Sequence, residues 1–166
     1  VSFRASKLNG RSIGMKYFYG CSSLTEITIP TGLTAPFQIS SGIDYINATF
    51  AECTSLEKVV INTTYSSIHS GFATFYNCAN LKTIEFGKDK AGFSTICEDA
   101  FYGCASLTSI PLHASGSINF YDSAMEGIGL ETLHLQTSAS GTCYFKRGMP
   151  FEGMTQLKSI FIKAAK

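Results

Sequence analysis

One aromatic residue, one cysteine and three aliphatic residues recur along this chain at a fixed spacing, and no other feature limits its fold as much. Phe18-Tyr19-Gly20-Cys21-Ser22-Ser23-Leu24-Thr25-Glu26-Ile27-Thr28-Ile29 sets the pattern F-x-x-C-x-x-L-x-x-I-x-I. It returns from Phe50 to Ile61 with Cys53, Leu56 and Val59 in register, from Phe75 to Phe86 with Cys78, Leu81 and Ile84, and from Phe101 to Leu112 with Cys104, Leu107 and Ile110. A fifth copy, Met125, Ile128, Leu130, Leu133 and Leu135, is one residue short between its second and third slots. The sixth, Phe151, Met154, Leu157, Ile160 and Ile162, is regular again. The copies start 32, 25, 26, 24 and 26 residues apart. A period of this length marks a repeat array, whose units are too small to bury their apolar face alone and become stable only against neighbours.

The slots dictate a local geometry. In L-x-x-I-x-I the aliphatic residues fall on one side of a short strand, because alternate strand residues face opposite ways. F-x-x-C is too short and glycine-rich for a long helix, and predicts a 3-10 or short helical turn that drops Phe and Cys into the same core. A second apolar patch precedes each Phe: Ile43 and Ile46, Ile68 and Phe72, Ile96, Ile118 and Phe120, Tyr144 and Phe145. These patches predict an opposite wall. Gly20, Asn77, Gly87, Gly103, Gly127 and Gly153 mark corners where positive φ is expected. Between neighbouring strands Glu26 falls beside Lys58, Glu57 beside Lys82 and Glu131 beside Lys158, as parallel in-register stacking requires.

These residues resemble the BspA-type leucine-rich repeat family of bacterial and protist surface proteins, whose coils follow A-F-x-x-C-x-x-L-x-x-I-x-I-P. Ala100-Phe101-Tyr102-Gly103-Cys104-Ala105-Ser106-Leu107-Thr108-Ser109-Ile110-Pro111 is close to that pattern, and Ile27-Thr28-Ile29-Pro30 carries the closing proline. The resemblance runs from about Ile13 to Ile162. It implies a leucine-rich-repeat solenoid of the right-handed β/α superhelix class, β-rich, with short parallel strands and about six coils of about 25 residues. It also implies a secreted or cell-surface location and adhesion to host matrix proteins or other bacteria, and it brings no catalytic motif. The fifth copy, lacking both Phe and Cys, predicts a local irregularity. Thr31 to Tyr45 exceeds coil length and is read as a functional loop or as filler.

The rest of the sequence narrows the chemistry. Residues 1–166 suit a single solenoid domain, and the start at Val1 and the end at Lys166 read as a trimmed piece of a longer surface protein. Thirteen Lys and Arg against twelve Asp and Glu leave a net charge of +1 with no basic cluster, so neither nucleic acid nor an anionic membrane is an expected partner. No apolar run reaches the roughly 18 residues of a membrane span. The recurring Cys21, Cys53, Cys78 and Cys104 are expected to form a buried column of free thiols acting as small apolar side chains, with Cys97 and Cys143 similarly buried on the opposite wall. No C-x-x-C pair or suitably spaced His suggests zinc, so neither metal nor cofactor is expected. His69, His113 and His134 form no legible catalytic arrangement, and Glu98-Asp99 and Asp122 are read as caps for turn N–H groups rather than acid–base pairs. Gly87 to Gly92 reads as a turn between coils, and Asn47-Ala48-Thr49 and Asn62-Thr63-Thr64 match the glycosylation sequon.

What remains is a surface. The outward strand positions Glu26, Thr28, Lys58, Val60, Thr83, Glu85, Thr132, His134 and Phe161 form the candidate face for a protein partner, with a glycan as the alternative. Tyr19, Tyr76 and Tyr102 share the position after the Phe slot and form a candidate aromatic ridge. Strand edges near Ile160, Phe161 and Ile162 would permit end-to-end self-association. The chain reads as a non-enzymatic binding or adhesion module, with a structural spacer or stalk as the alternative.

Overall fold

The computed structural model describes residues 16–30, 47–62, 67–87, 91–112, 116–137, 140–146 and 148–164. Ile43, Ile46, the segment from Thr31 to Tyr45, and His113 lie outside the described residues. The strands are β1 (Glu26–Ile29), β2 (Lys58–Ile61), β3 (Ser67–His69), β4 (Thr83–Phe86), β5 (Gly92–Ile96), β6 (Ile118–Phe120), β7 (Thr132–Thr137), β8 (Cys143–Phe145) and β9 (Ser159–Ala164). Every pairing is parallel. β3-β5-β6-β8 make one four-stranded wall, while the strands that follow each turn divide into β1-β2-β4 and β7-β9. The result is a β-solenoid with about four turns in its continuous wall. Six complete coils are not reached among the described residues. Alternation drives the strands as expected, with a buried residue at every second position of β1, β2 and β6.

The turns differ from the helical ones expected, and no helix occurs among the described residues. One set of N–H groups closes three-residue steps: Cys78 donates to the Phe75 carbonyl at 3.0 Å and Leu81 to that of Cys78 at 3.0 Å. The intervening groups point to the next coil instead, Phe75 donating to Ala100 at 2.9 Å and Asn77 to Tyr102 at 2.8 Å. The cause is a left-handed residue two places before and two places after the Phe of each of the first four copies. Ala48 (φ 42°) and Glu52 (63°) flank Phe50, Ala73 (48°) and Asn77 (56°) flank Phe75, and Asp99 (55°) and Gly103 (71°) flank Phe101. A right-handed helix does not propagate through such residues. Gly20, Asn77, Gly103, Gly127 and Gly153 have the expected positive φ, but Gly87 does not.

This ladder also corrects the capping assignment. The N–H groups of Ala100, Phe101, Tyr102 and Gly103 are taken by the carbonyls of Cys97, Ala124, Asp99 and Glu126, not by the Asp99 carboxylate. Asp122 does act as an acceptor, but for the following coil, where the Met149 N–H reaches its Oδ1 at 3.1 Å.

Inside, Phe18, Phe50, Phe75 and Phe101 stack nearly parallel with centroids 5.3, 5.5 and 5.4 Å apart. The cysteines beside three of these rings do more than fill space. Cys53 donates its thiol to the Phe18 carbonyl at 3.0 Å, Cys78 to Phe50 at 3.0 Å and Cys104 to Phe75 at 3.1 Å. Each thiol thereby ties a coil to the one before it.

The wall that follows the turns is interrupted at the fourth copy, the one nearest the family pattern, rather than at the shortened fifth. Leu107 to Ile110 form no strand, and Leu112 makes an isolated bridge to Phe93, whose N–H donates to the Pro111 carbonyl at 2.8 Å. Pro111 occupies the slot of Thr28, Val60 and Glu85, in mid-strand, whereas Pro30 follows β1. A proline there removes a ladder donor, and sheets accept it only at edges. The missing residue of the fifth copy is absorbed by close approach at Gly129, where a Cβ would lie 2.1 Å from the Ala105 carbonyl oxygen.

Candidate binding face

None of the nine strand-face residues enters the core. Glu26, Thr28, Thr83, Glu85, His134 and Phe161 are exposed, and Lys58, Val60 and Thr132 are half-buried. The break at Pro111 separates them into two patches. In the first, Glu26 pairs in register with Lys58, Thr28 with Val60, Lys58 with Thr83 and Val60 with Glu85. Lys58 does not close on Glu26 as expected. Its ammonium crosses diagonally to Glu85 at 2.7 Å. The other anticipated pairs form, Lys82 with Glu57 at 2.9 Å and Lys158 with Glu131 at 3.0 Å. All three are solvent-exposed, so each contributes at most about 1 kcal/mol and chiefly orders the surface.

The second patch is aromatic. His134 and Phe161 are register partners, and their rings stack at 5.1 Å with 13° between planes. Below them the hydroxyls of Thr132 and Ser159 lie 3.1 Å apart. Sequence reasoning placed His134 and Phe161 on one face without pairing them, although their equal distance from the Leu130 and Leu157 slots carried that signal.

The tyrosine ridge is a pair rather than a row. Tyr76 and Tyr102 stack at 4.8 Å, but Ala51 fills the same position in the second copy and separates Tyr19, whose ring lies under the Lys16 ammonium at 5.4 Å. Near the pair, burial and then the carboxylates of Glu98, Asp122 and Glu126 raise the pKa of Asp99 above the usual range. On the opposite wall Lys146 sits over the rings of Tyr121 and Tyr144 at 5.8 and 5.5 Å, a cluster the sequence reading did not assemble.

With the coils and faces placed, the family model for the BspA type leucine rich repeat region matches residues 5–146 in six copies. The chain belongs to the BspA-type leucine-rich-repeat family. Neither the curated proteins nor the solved structures include a significant match. The BspA-type stack continues past the matched residues, because β9 pairs with β7 along six residues in unbroken register.

Within this BspA-type chain all six cysteines are free. Cys53, Cys78, Cys97 and Cys104 are buried, Cys143 is half-buried, and Cys21, at the outer end of the column, is exposed rather than buried as expected. Burial pushes Cys53 and Cys97 up to about 11 and Cys78 and Cys104 higher still. A thiol with a raised pKa keeps its proton and is a poor nucleophile and a poor metal ligand. Among the described residues no three His, Cys, Asp or Glu side chains converge on a metal position, and no helix is long and apolar enough to cross a membrane. His69 is exposed on β3, and partial desolvation lowers its pKa. Asn47 of the first sequon is buried and bonded to the Thr49 hydroxyl, which removes it from modification in the folded chain. The second sequon extends beyond the described residues.

Proposed function

We propose that this chain is a non-enzymatic adhesion module, displayed outside the cell, that contacts a protein partner through its strand face, and that its array comprises six coils. Leucine-rich-repeat solenoids typically serve as binding scaffolds, and the BspA-type family is usually found on surfaces or secreted. The observation that carries the reading is the exposed, stacked His134–Phe161 pair on a flat parallel ladder. An aromatic anchor ringed by polar groups is the composition of an interface hot spot. Thr132, Ser159, Glu131 and Lys158 supply the polar surround.

The test is binding of the chain to immobilised matrix proteins and to a glycan panel, with His134→Ala and Phe161→Ser each compared with Thr28→Ala and Glu85→Gln. Loss of tenfold or more in affinity for the ring variants, about 1.4 kcal/mol, and little change for the others, supports the reading. Absence of binding to every probe, with adhesion of the parent cell unaffected by all four substitutions, overturns it. The spacer reading is favoured for the first patch by the Lys58–Glu85 and Lys82–Glu57 pairs, which leave charges there engaged with one another.

A further inference from the structure

The break at Pro111 lies inside the array, with strands described on both sides of it. The N–H groups of Thr83 and Gly87 donate to Glu57 and Ile61, so in β4 the alternate residues Ile84 and Phe86 turn their backbone groups toward the fourth copy. In β7 the Glu131 carbonyl accepts from Ser159 of β9, which leaves Thr132 and His134 facing the fourth copy from the other side. Among the described residues, no backbone hydrogen bond joins Thr108 to Leu112 with either strand. Leu112 bridges instead to Phe93 in the opposite wall. The core is thinly covered at the same place. Phe86, Ile110 and Leu112 are half-buried, whereas Ile29, Ile61 and Leu135, in the slot of Phe86 and Leu112, are 0%, 0% and 1% exposed.

From this geometry we infer that the fourth rung takes an extended segment of a partner protein as an added strand between β4 and β7. The inference deepens the adhesion reading and rests on it only for the partner being a protein. Three observations select the occupant. Two rows of N–H and C=O groups face one another across a single rung, and a polypeptide in extended form offers matching donors and acceptors to both. With strands about 4.8 Å apart, one rung admits one strand. Thr108 and Ser109 are exposed and make no ladder bond, so an incoming strand displaces them without breaking one. The half-buried Phe86, Ile110 and Leu112 call for aliphatic side chains at alternate positions of the segment.

Charge specifies the outward position between those aliphatic residues. In register it falls between Glu85 and His134, the place that Pro111 holds in the sequence. Lys58 reaches Glu85 from the far side of β4 at 2.7 Å. A cation on the near side of Glu85 extends that row with opposite charges on neighbouring strands. The segment so described reads aliphatic, basic, aliphatic. Seated there, it joins into one continuous surface the two patches of the strand face that the break divides.

The probe is a nine-residue peptide copying Thr54 to Asn62, the regular second rung, with Val60→Lys. Calorimetric titration of the 166-residue chain should show saturable binding below about 1 mM, the range of a small contact. Bound peptide should slow hydrogen exchange at the amides of Ile84, Phe86, Thr132 and His134. The same peptide with Val60→Pro repeats the flaw of the fourth copy and should bind about tenfold more weakly, having lost a donor. In the chain, Pro111→Val should let the fourth copy close its own rung and reduce peptide binding to a similar degree, with strand content undiminished by circular dichroism. Because no matrix protein enters the titration, its failure is distinct from failure of the His134–Phe161 anchor. Absence of saturable binding, binding that leaves those four amides unprotected, equal binding of the proline peptide, or unchanged binding to Pro111→Val would each overturn the inference.

Discussion

The cysteine slot is occupied by a donor. A methyl group would fill part of that space, but only a thiol also reaches the Phe carbonyl of the preceding coil, and the bond places its proton where burial protects it. A pH dependence follows. Below about pH 8.5, the ordinary thiol value, the buried thiols are protonated in folded and unfolded chains alike, and their contribution is complete. Above it the unfolded chain releases protons that the folded chain retains, so stability falls by about 1.4 kcal/mol per pH unit per thiol. For Cys53 and Cys97 the loss continues until pH about 11, where they ionise in the fold as well. Urea titrations at pH 7.5 and 10 should show Cys78→Ala less stable than the parent at the lower pH but with a shallower decline, by the slope of one proton. A second residue is poorly served: the Thr74 hydroxyl is fully buried with no hydrogen-bond partner. Thr74→Val keeps the shape and removes the unpaired group, and should stabilise the fold by about 1 kcal/mol, read as a raised urea midpoint. The slots themselves were legible in the sequence. The thiol bonds were not, because recurrence reveals a position and not the atom it faces. Nor were the left-handed Ala48, Ala73 and Asp99, two of which are alanines with no sequence mark of that conformation.

At the scale of elements, strand pairing was readable because each strand repeats the same alternation at the same offset, which fixes register. The interruption was harder to foresee. Pro111 fits the I-P ending of the pattern when the copy is read alone, and only alignment with Thr28, Val60 and Glu85 shows it standing in mid-strand. The shortened fifth copy keeps a good strand, β7, because the deficit is taken up before the strand begins. Gly129 makes that possible, its N–H donating to the Cys104 carbonyl at 3.3 Å while its Cα lies against Ala105. Gly129→Ala would press a methyl group into backbone that has no flexible end to move aside, and should cost about 2 kcal/mol or more by the usual measure of overpacking. Gly116→Ala, where a Cβ meets nothing within 4 Å, is the matched control. Thermal unfolding of the pair should separate them by several degrees. The two patches of the binding face were foreseen as one, for the same reason that the proline was missed.

Taken whole, the molecule is a row of nearest-neighbour contacts, so the worth of a residue depends on its place in the row. Phe75 has a ring stacked on each side and is fully buried, whereas Phe151, in the same slot near the end, is only half-buried. Phe75→Ala should cost about 3–5 kcal/mol and Phe151→Ala clearly less, and hydrogen exchange should be slowest through the coils of Phe50, Phe75 and Phe101. The unlinked thiols give the row a further property. With no disulfide joining one coil to another, tension applied between the ends is resisted by non-covalent contacts between adjacent coils: strand ladders, turn-to-turn hydrogen bonds, stacked rings, thiol–carbonyl bonds and surface ion pairs. Pulled from its C-terminus, the solenoid would peel rather than rupture, paying out about 80–90 Å of chain for each coil of roughly 25 residues. A solenoid built this way would lengthen in steps under load and re-form coil by coil when the load is removed.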